Sequence, residues 1–204
     1  MDEEKMRVFA YGSNMDVHQM LSRCPSASYV GVGLLKNFRL TFGGWSEKWG
    51  GGVATIVHAT GRVVPGAIYR VNADDLAILD MYEGFPFVYG RRVVGVKTKL
   101  GTKLPCFVYQ LARHNPAAGV APGVGYLRLI AAAYRFWGLK RYAGALYDAV
   151  RRCRHVTPPS PIRSVASGVS VFTRTPMTAK TSSTLPSRQL PLRPPLAIVK
   201  EGAK

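Results

Sequence analysis

Met6-Arg7-Val8-Phe9-Ala10-Tyr11-Gly12-Ser13-Asn14 is the stretch from which the fold is read. Its first five residues form a short apolar run, and the Gly-Ser-Asn that follows is turn chemistry. The run therefore reads as a strand delivered into a tight loop. Asp16–Leu21 reads as one helical excursion, with Asn14 or Asp16 as its N-cap. Six further segments, Ser28–Leu35, Asn37–Phe42, Val53–His58, Arg62–Arg70, Tyr89–Leu100 and Lys103–Gln110, are rich in Val, Ile, Tyr and Phe and are punctuated by Gly, Pro and Asn. Those are strand signals. Asn72–Tyr82 reads as a helix capped by Asn72, with Asp74 and Asp75 in its first turn and Leu76, Leu79 and Tyr82 on one face. A second helical region, Gly125–Arg152, is divided by Gly138 into Tyr126–Trp137 and Lys140–Arg152. Strands outnumber helices and the connections are short. The expectation is an α+β domain built on a curled sheet or small barrel, with no internal repeat.

The charge is distributed unevenly over this framework. The chain has 204 residues, 47% of them hydrophobic, so it can build an ordinary core. Its formal charge of +17 would suggest a nucleic-acid or anionic-surface binder if it were spread evenly. Residues 1–150 carry 18 basic and 10 acidic side chains, whereas residues 151–204 carry 10 basic residues and only Glu201. More than half of the excess thus falls on about a quarter of the length. Residues 155–204 also hold 8 of the 14 prolines, one Phe and neither Tyr nor Trp, with many Ser and Thr. The expected division is a folded domain over 1–152 and a basic Pro/Ser/Thr-rich tail over 153–204, read as disordered. An inert extension or a reading-frame artefact is favoured for that tail over an electrostatic tether.

Cys24, Cys106 and Cys153 are odd in number and widely spaced, which gives neither a disulfide framework nor a zinc pattern. The acidic N-terminus has no apolar core of the secretory type, and no apolar run reaches the length of a membrane span. A cytoplasmic protein is expected.

Candidate chemistry is sparse. The Gly12-Ser13-Asn14 turn before a helix N-terminus resembles a small backbone nest, suited to a carboxylate or phosphate, although simple chain reversal accounts for it equally. Glu83 ends an acidic helix just before Gly84. A carboxylate there gains nothing from the helix dipole, which hints at another use. Burial among Tyr82, Phe85, Phe87 and Tyr89 would raise its pKa towards that of a working base; position alone favours an exposed turn residue. His18, His58, His114 and His155 are scattered without ligand spacing, so no metal site is expected. Ser13 lacks a nucleophile motif, and Cys24 and Cys106 read as small core residues. Gly50-Gly51-Gly52 permits close backbone approach or forms a hairpin tip, while Trp45 and Trp49 flank a pocket or cover one end of the sheet.

Taken together, the motifs resemble the γ-glutamylcyclotransferase family. The landmarks are Tyr11-Gly12-Ser13-Asn14-Met15, Cys24-Pro25-Ser26-Ala27 leading to Phe38-Arg39-Leu40-Thr41-Phe42-Gly43, and Trp49-Gly50-Gly51-Gly52-Val53-Ala54-Thr55-Ile56. They continue with Leu79-Asp80-Met81-Tyr82-Glu83-Gly84, then Pro122, Tyr126-Leu127, Gly138-Leu139 and Tyr142, over roughly residues 7–150. Each is short, but their order and spacing are specific.

The resemblance implies a small mixed β-barrel with flanking helices and a pocket at one barrel end. It also implies cyclisation of a γ-glutamyl substrate to 5-oxoproline, without metal or cofactor, with Glu83 as general acid and base. The Tyr11, Gly12, Ser13, Asn14 and Met15 loop would bind the glutamyl group. Tyr126 would hydrogen-bond Glu83 or the substrate, and Tyr89 and the Gly51–Val53 backbone would line the pocket. The implied partner is a small γ-glutamyl molecule, with a homodimer allowed for, no membrane, and nucleic acid only through the tail. Two alternatives stand beside this reading: a γ-glutamylamine-type enzyme, and an inactive domain of the same fold that binds an anionic partner through its tail. Phe85-Pro86-Phe87-Val88 replaces a more polar segment of some members, which leaves the leaving-group preference open.

Overall fold

In the computed structural model, residues 6–112 and 119–153 are described. They all fall within one of two units of the chain, Met1–Pro158. The expected tail lies outside the described residues apart from Cys153.

Five strands close a barrel in the order β1-β3-β2-β4-β5. They are β1 (Met6–Ala10), β2 (Ser28–Ser46), β3 (Gly51–Val71), β4 (Tyr89–Thr98) and β5 (Lys103–Leu111). Four junctions, β1/β3, β3/β2, β2/β4 and β4/β5, are antiparallel, and closure comes from a parallel contact between β1 and β5 at Val8 and Phe107. A barrel leaves no sheet edge exposed, which suits a chain with so many short apolar runs. The helices α1 (Val17–Arg23), α2 (Ala73–Glu83), α3 (Val124–Phe136) and α4 (Ala143–Arg151) flank it. The core is a contiguous set that includes Val8, Phe9, Phe42, Ile56, Ile68 and Tyr69, with Met15, Leu79, Ile130 and Tyr134 brought in from the turns and helices.

Four expected strands are in fact two long ones. Asn37, expected to separate Ser28–Leu35 from Asn37–Phe42, sits within β2 at a left-handed φ of 62°, where the register jumps from Lys36↔Val63 to Phe38↔His58. Its side chain accepts from the Gly61 N–H at 3.2 Å, so the irregularity is held together locally and both strands run on through it. Asn72 caps α2 by accepting from the Asp75 N–H at 2.8 Å, and Asp16, rather than Asn14, caps α1 by accepting from the Gln19 N–H at 2.8 Å. Leu76 and Leu79 are buried on α2 as expected, but Tyr82 is 58% exposed. Tyr82 is six residues beyond Leu76, which at 100° per residue places it well off the buried stripe. Gly138, with φ 67°, ends α3 as expected.

The Gly50–Gly52 block is a site of close approach. A Cβ on Gly52 would lie 2.3 Å from the Val120 carbonyl oxygen, and the Gly52 N–H donates to the Ala121 carbonyl at 2.8 Å. Residues 120–123 are thereby laid against the start of β3, where α3 begins.

Candidate active site

The recess of interest lies where β1 runs out into its turn. Val8, Phe9 and Ala10 lead the chain to Tyr11, after which Ser13–Met15 makes a single 3-10 turn and α1 begins. That turn is fixed from beneath. The Met15 carbonyl accepts from the Trp137 indole N–H at 2.7 Å and from the Tyr69 hydroxyl at 3.4 Å, while the Met15 side chain is fully buried. Tyr11, Gly12, Ser13 and Asn14 line the recess together with Ala54 from β3, Glu83 from α2, Tyr89 from β4, Tyr109 from β5 and Tyr126 from α3. Of the candidate residues, all but Met15 are brought to one recess; Met15 serves as the anchor of the turn. Gly51–Val53 do not line it, and Trp49 packs on the Tyr126 ring at 5.0 Å between centroids.

Glu83 is the acid of this recess, its side chain only 15% exposed. The Asn14 amide donates to Glu83 Oε1 at 2.8 Å. On its other side the Asn14 oxygen accepts from Gln19 at 3.0 Å and from Arg23 Nη1 at 2.8 Å. Those two donors fix which way the amide faces. Arg23 Nη1 is also 3.5 Å from Glu83 Oε1. Both contacts reach the same carboxylate oxygen, and no described residue is hydrogen-bonded to Oε2. One oxygen is anchored and the other is presented.

Burial raises the pKa of Glu83; the Arg23 cation and the Asn14 hydrogen bond oppose that rise, and the nearby Asp80 adds to it. Of the neighbours expected to bury it only Tyr89 does so, since Tyr82, Phe85 and Phe87 are exposed. Tyr11 and Tyr126 join Tyr89 in supplying the enclosure. Burial, then the charge of Glu83 and the neighbouring phenol Tyr126, hold Tyr11 well above the usual tyrosine range. Tyr89 is raised in the same way by burial, then by Tyr126, Tyr11 and Glu83. Burial also raises Tyr126, opposed by the Ala54 N–H and by Ser13. All three are therefore neutral donors. Tyr11 donates to the Tyr109 carbonyl at 2.5 Å and Tyr89 to the Ala54 carbonyl at 2.9 Å. Tyr126 instead accepts from the Ala54 N–H at 3.1 Å and is also hydrogen-bonded with Ser13.

Sequence reasoning missed the outer layer. Asp80, three residues before Glu83 on the same face of α2, accepts from the Tyr109 hydroxyl and from Arg91, each at 2.5 Å. Gln19 and Arg23 were missed as well, although their i, i+4 spacing on a short helix directly after the turn was a signal. Among the described residues no group of three or more His, Cys, Asp or Glu side chains is placed to hold a metal ion, and no helix is long and apolar enough to cross a membrane.

Comparison with known proteins identifies a family. The family model described as gamma-glutamyl cyclotransferase, AIG2-like, matches residues 8–126. A gamma-glutamylcyclotransferase of Bos taurus is 35% identical over 134 residues, which is 63% of this chain and 70% of the relative. The Homo sapiens gamma-glutamylcyclotransferase is 34% identical over the same shares. A solved gamma-glutamyl cyclotransferase superposes with a TM-score of 0.66 at 28% identity, covering 80% of this chain and 94% of that one. An uncharacterized Homo sapiens protein gives 0.67 at 31%, covering 77% and 94%. The chain belongs to the AIG2-like gamma-glutamyl cyclotransferase family.

Proposed function

We propose that this member of the family converts γ-glutamyl amino acids to 5-oxoproline and the free amino acid, with Glu83 moving the protons. The observation that carries the reading is the carboxylate itself: enclosed, held at Oε1 by Asn14, and open at Oε2 to a recess bounded by the Tyr11–Asn14 turn. In the reaction the substrate's α-amino nitrogen attacks its own γ-carbonyl carbon. A carbon–nitrogen bond forms, and Glu83 Oε2 takes the proton that the nitrogen loses. The amide bond to the leaving group then breaks as Glu83 returns that proton to the departing nitrogen. Nothing is oxidised or reduced, and one carboxylate serves both half-reactions.

Attack is intramolecular, so the protein's main task is to hold the glutamyl chain curled with the amine against the carbonyl. The Tyr11–Asn14 turn binds the glutamyl group, with Met15, whose N–H is taken by the Gly12 carbonyl at 3.0 Å, holding the turn in shape, and the Tyr126 phenol is suited to the oxygen on which negative charge develops. A raised Glu83 pKa matches this role, because a base of ordinary carboxylate strength takes a proton from an ammonium poorly.

Glu83→Gln keeps the shape and the Asn14 contact distance while removing the base. Release of 5-oxoproline should fall by about 10²- to 10⁴-fold. Unchanged turnover in a folded Glu83→Gln protein would sink the mechanism. A panel pairing γ-glutamyl amino acids with the corresponding γ-glutamyl amines tests the substrate class: preference for amines would replace the present reading by the γ-glutamylamine one.

A further inference from the structure

We propose that Arg23 is a positioning residue for the reaction: through Asn14 it holds Glu83 in the orientation that offers Oε2 to the substrate. The inference rests on the reading of Glu83 given above. Arg23 closes α1, and its side chain is only 13% exposed. One nitrogen, Nη1, is 2.8 Å from the Asn14 oxygen and 3.5 Å from Glu83 Oε1. The guanidinium plane lies over the Tyr82 ring, 4.6 Å from its centroid, so the residue beside the acid in sequence fixes the cation in space.

The placement answers the question posed by Glu83's position. A carboxylate at the last residue of α2 faces the negative end of a helix dipole. Arg23 stands at the C-terminal end of α1 and reaches the C-terminal end of α2, so one cation serves the negative ends of two helices. The distances also divide the labour. The shorter bond goes to the amide and the longer contact to the acid, so Arg23 holds Asn14 and leaves Glu83 able to gain and lose a proton. A close bidentate clamp would instead have fixed the carboxylate as a structural ion pair.

Other groups facing Glu83 cannot take over this role. Tyr11 from the turn, Tyr89 from β4 and Tyr126 from α3 are neutral phenols, and Asp80 on α2 itself is an anion paired with Arg91. Among the described residues Arg23 is the cation within 4 Å of the Glu83 carboxylate.

The test uses the full chain and a γ-glutamyl substrate from the panel. Arg23→Gln is expected to lower kcat about tenfold or more while KM stays within about twofold. Loss of the cation favours the protonated acid, so the acid limb of the kcat/KM profile moves to higher pH by about one unit. The Glu83 carboxyl resonance, in protein labelled with 13C-glutamate and assigned against Glu83→Gln, titrates upward by the same amount. Arg23→Lys keeps the charge but not the planar fork, so the limb stays in place while kcat remains low. An Arg23→Gln protein whose limb and resonance do not move overturns the proposal, as does an Arg23→Lys protein with full kcat. Should Arg23→Gln not fold, the lysine variant decides. Failure of the wild-type protein to release 5-oxoproline from any panel member instead overturns the assigned reaction, and the resonance then decides Arg23 alone.

Discussion

At Gly12 the absence of a side chain is what gives the recess its floor. A Cβ there would meet Ala54 Cβ at 3.1 Å and the Tyr126 hydroxyl at 3.2 Å. Space alone therefore demands a residue without a side chain at Gly12. Gly12→Ala would push the Tyr126 phenol off the Ala54 N–H, shifting the phenol that faces the developing negative charge. We expect kcat/KM to drop about tenfold or more, with a loss of stability of about 1 kcal/mol, measured by 5-oxoproline release and thermal melting. Gly31→Ala, where the added carbon meets nothing within 4 Å, is the control and should behave as wild type. A Gly12→Ala enzyme of full activity would mean that Tyr126 does not take part. Local chemistry marked Gly12 as a turn residue and gave only a hint at Glu83, whose position alone favoured an exposed turn and which the family resemblance singled out. Asn14 was legible only as a turn residue. Its link to Arg23 joins residues nine apart, from the turn to the far end of α1, and no short-range pattern encodes which side chain an amide will face.

Elements were legible where their signals are local, and misread where a local breaker was absorbed by pairing. Asn72 with Asp74 and Asp75 announced the start of α2, and Gly138 the end of α3. Asn37 announced a break that never came, because Val63 and His58 on β3 hold β2 straight through the irregularity. Closure between Val8 and Phe107 had no signature in sequence, since it joins strands 99 residues apart. Besides presenting Tyr126 to the recess, α3 has an indirect part in the site. Its end places the Trp137 indole against the Met15 carbonyl at 2.7 Å, and the ring stacks on Tyr29 at 4.3 Å between centroids. Trp137→Phe preserves an aromatic ring there but leaves that buried carbonyl with only the longer Tyr69 contact. A loss of about 1–3 kcal/mol is expected from the unmet acceptor and the smaller ring. Because the 3-10 turn hangs from this bond, KM for the γ-glutamyl substrate should rise as well. Melting that shifts with unchanged KM would show that the turn is held by the barrel alone.

For the whole molecule, the uneven charge separates what the barrel needs from what the chain carries. The family match ends at residue 126, every side chain of the recess lies at or before that position, and Cys153 still packs on the core through α4. Residues 155–204 hold seven basic side chains and one acid, so removing them takes away a third of the formal charge of +17 without touching a residue of the site. Long-range attraction for an anionic glutamyl substrate falls off within about 8–10 Å at physiological salt, and the domain keeps a positive balance of its own. The truncated protein should therefore turn over γ-glutamyl substrates with kcat within about twofold of the full chain. An inactive domain working through its tail makes the opposite prediction: neither form releases 5-oxoproline, while the full chain binds single-stranded RNA with a steep salt dependence that the truncated form lacks. Measuring both properties on both proteins separates the two cleanly, since no single outcome satisfies both accounts. If turnover collapsed on truncation while folding persisted, the tail would belong to the enzyme, and the domain boundary proposed near residue 152 would have to move.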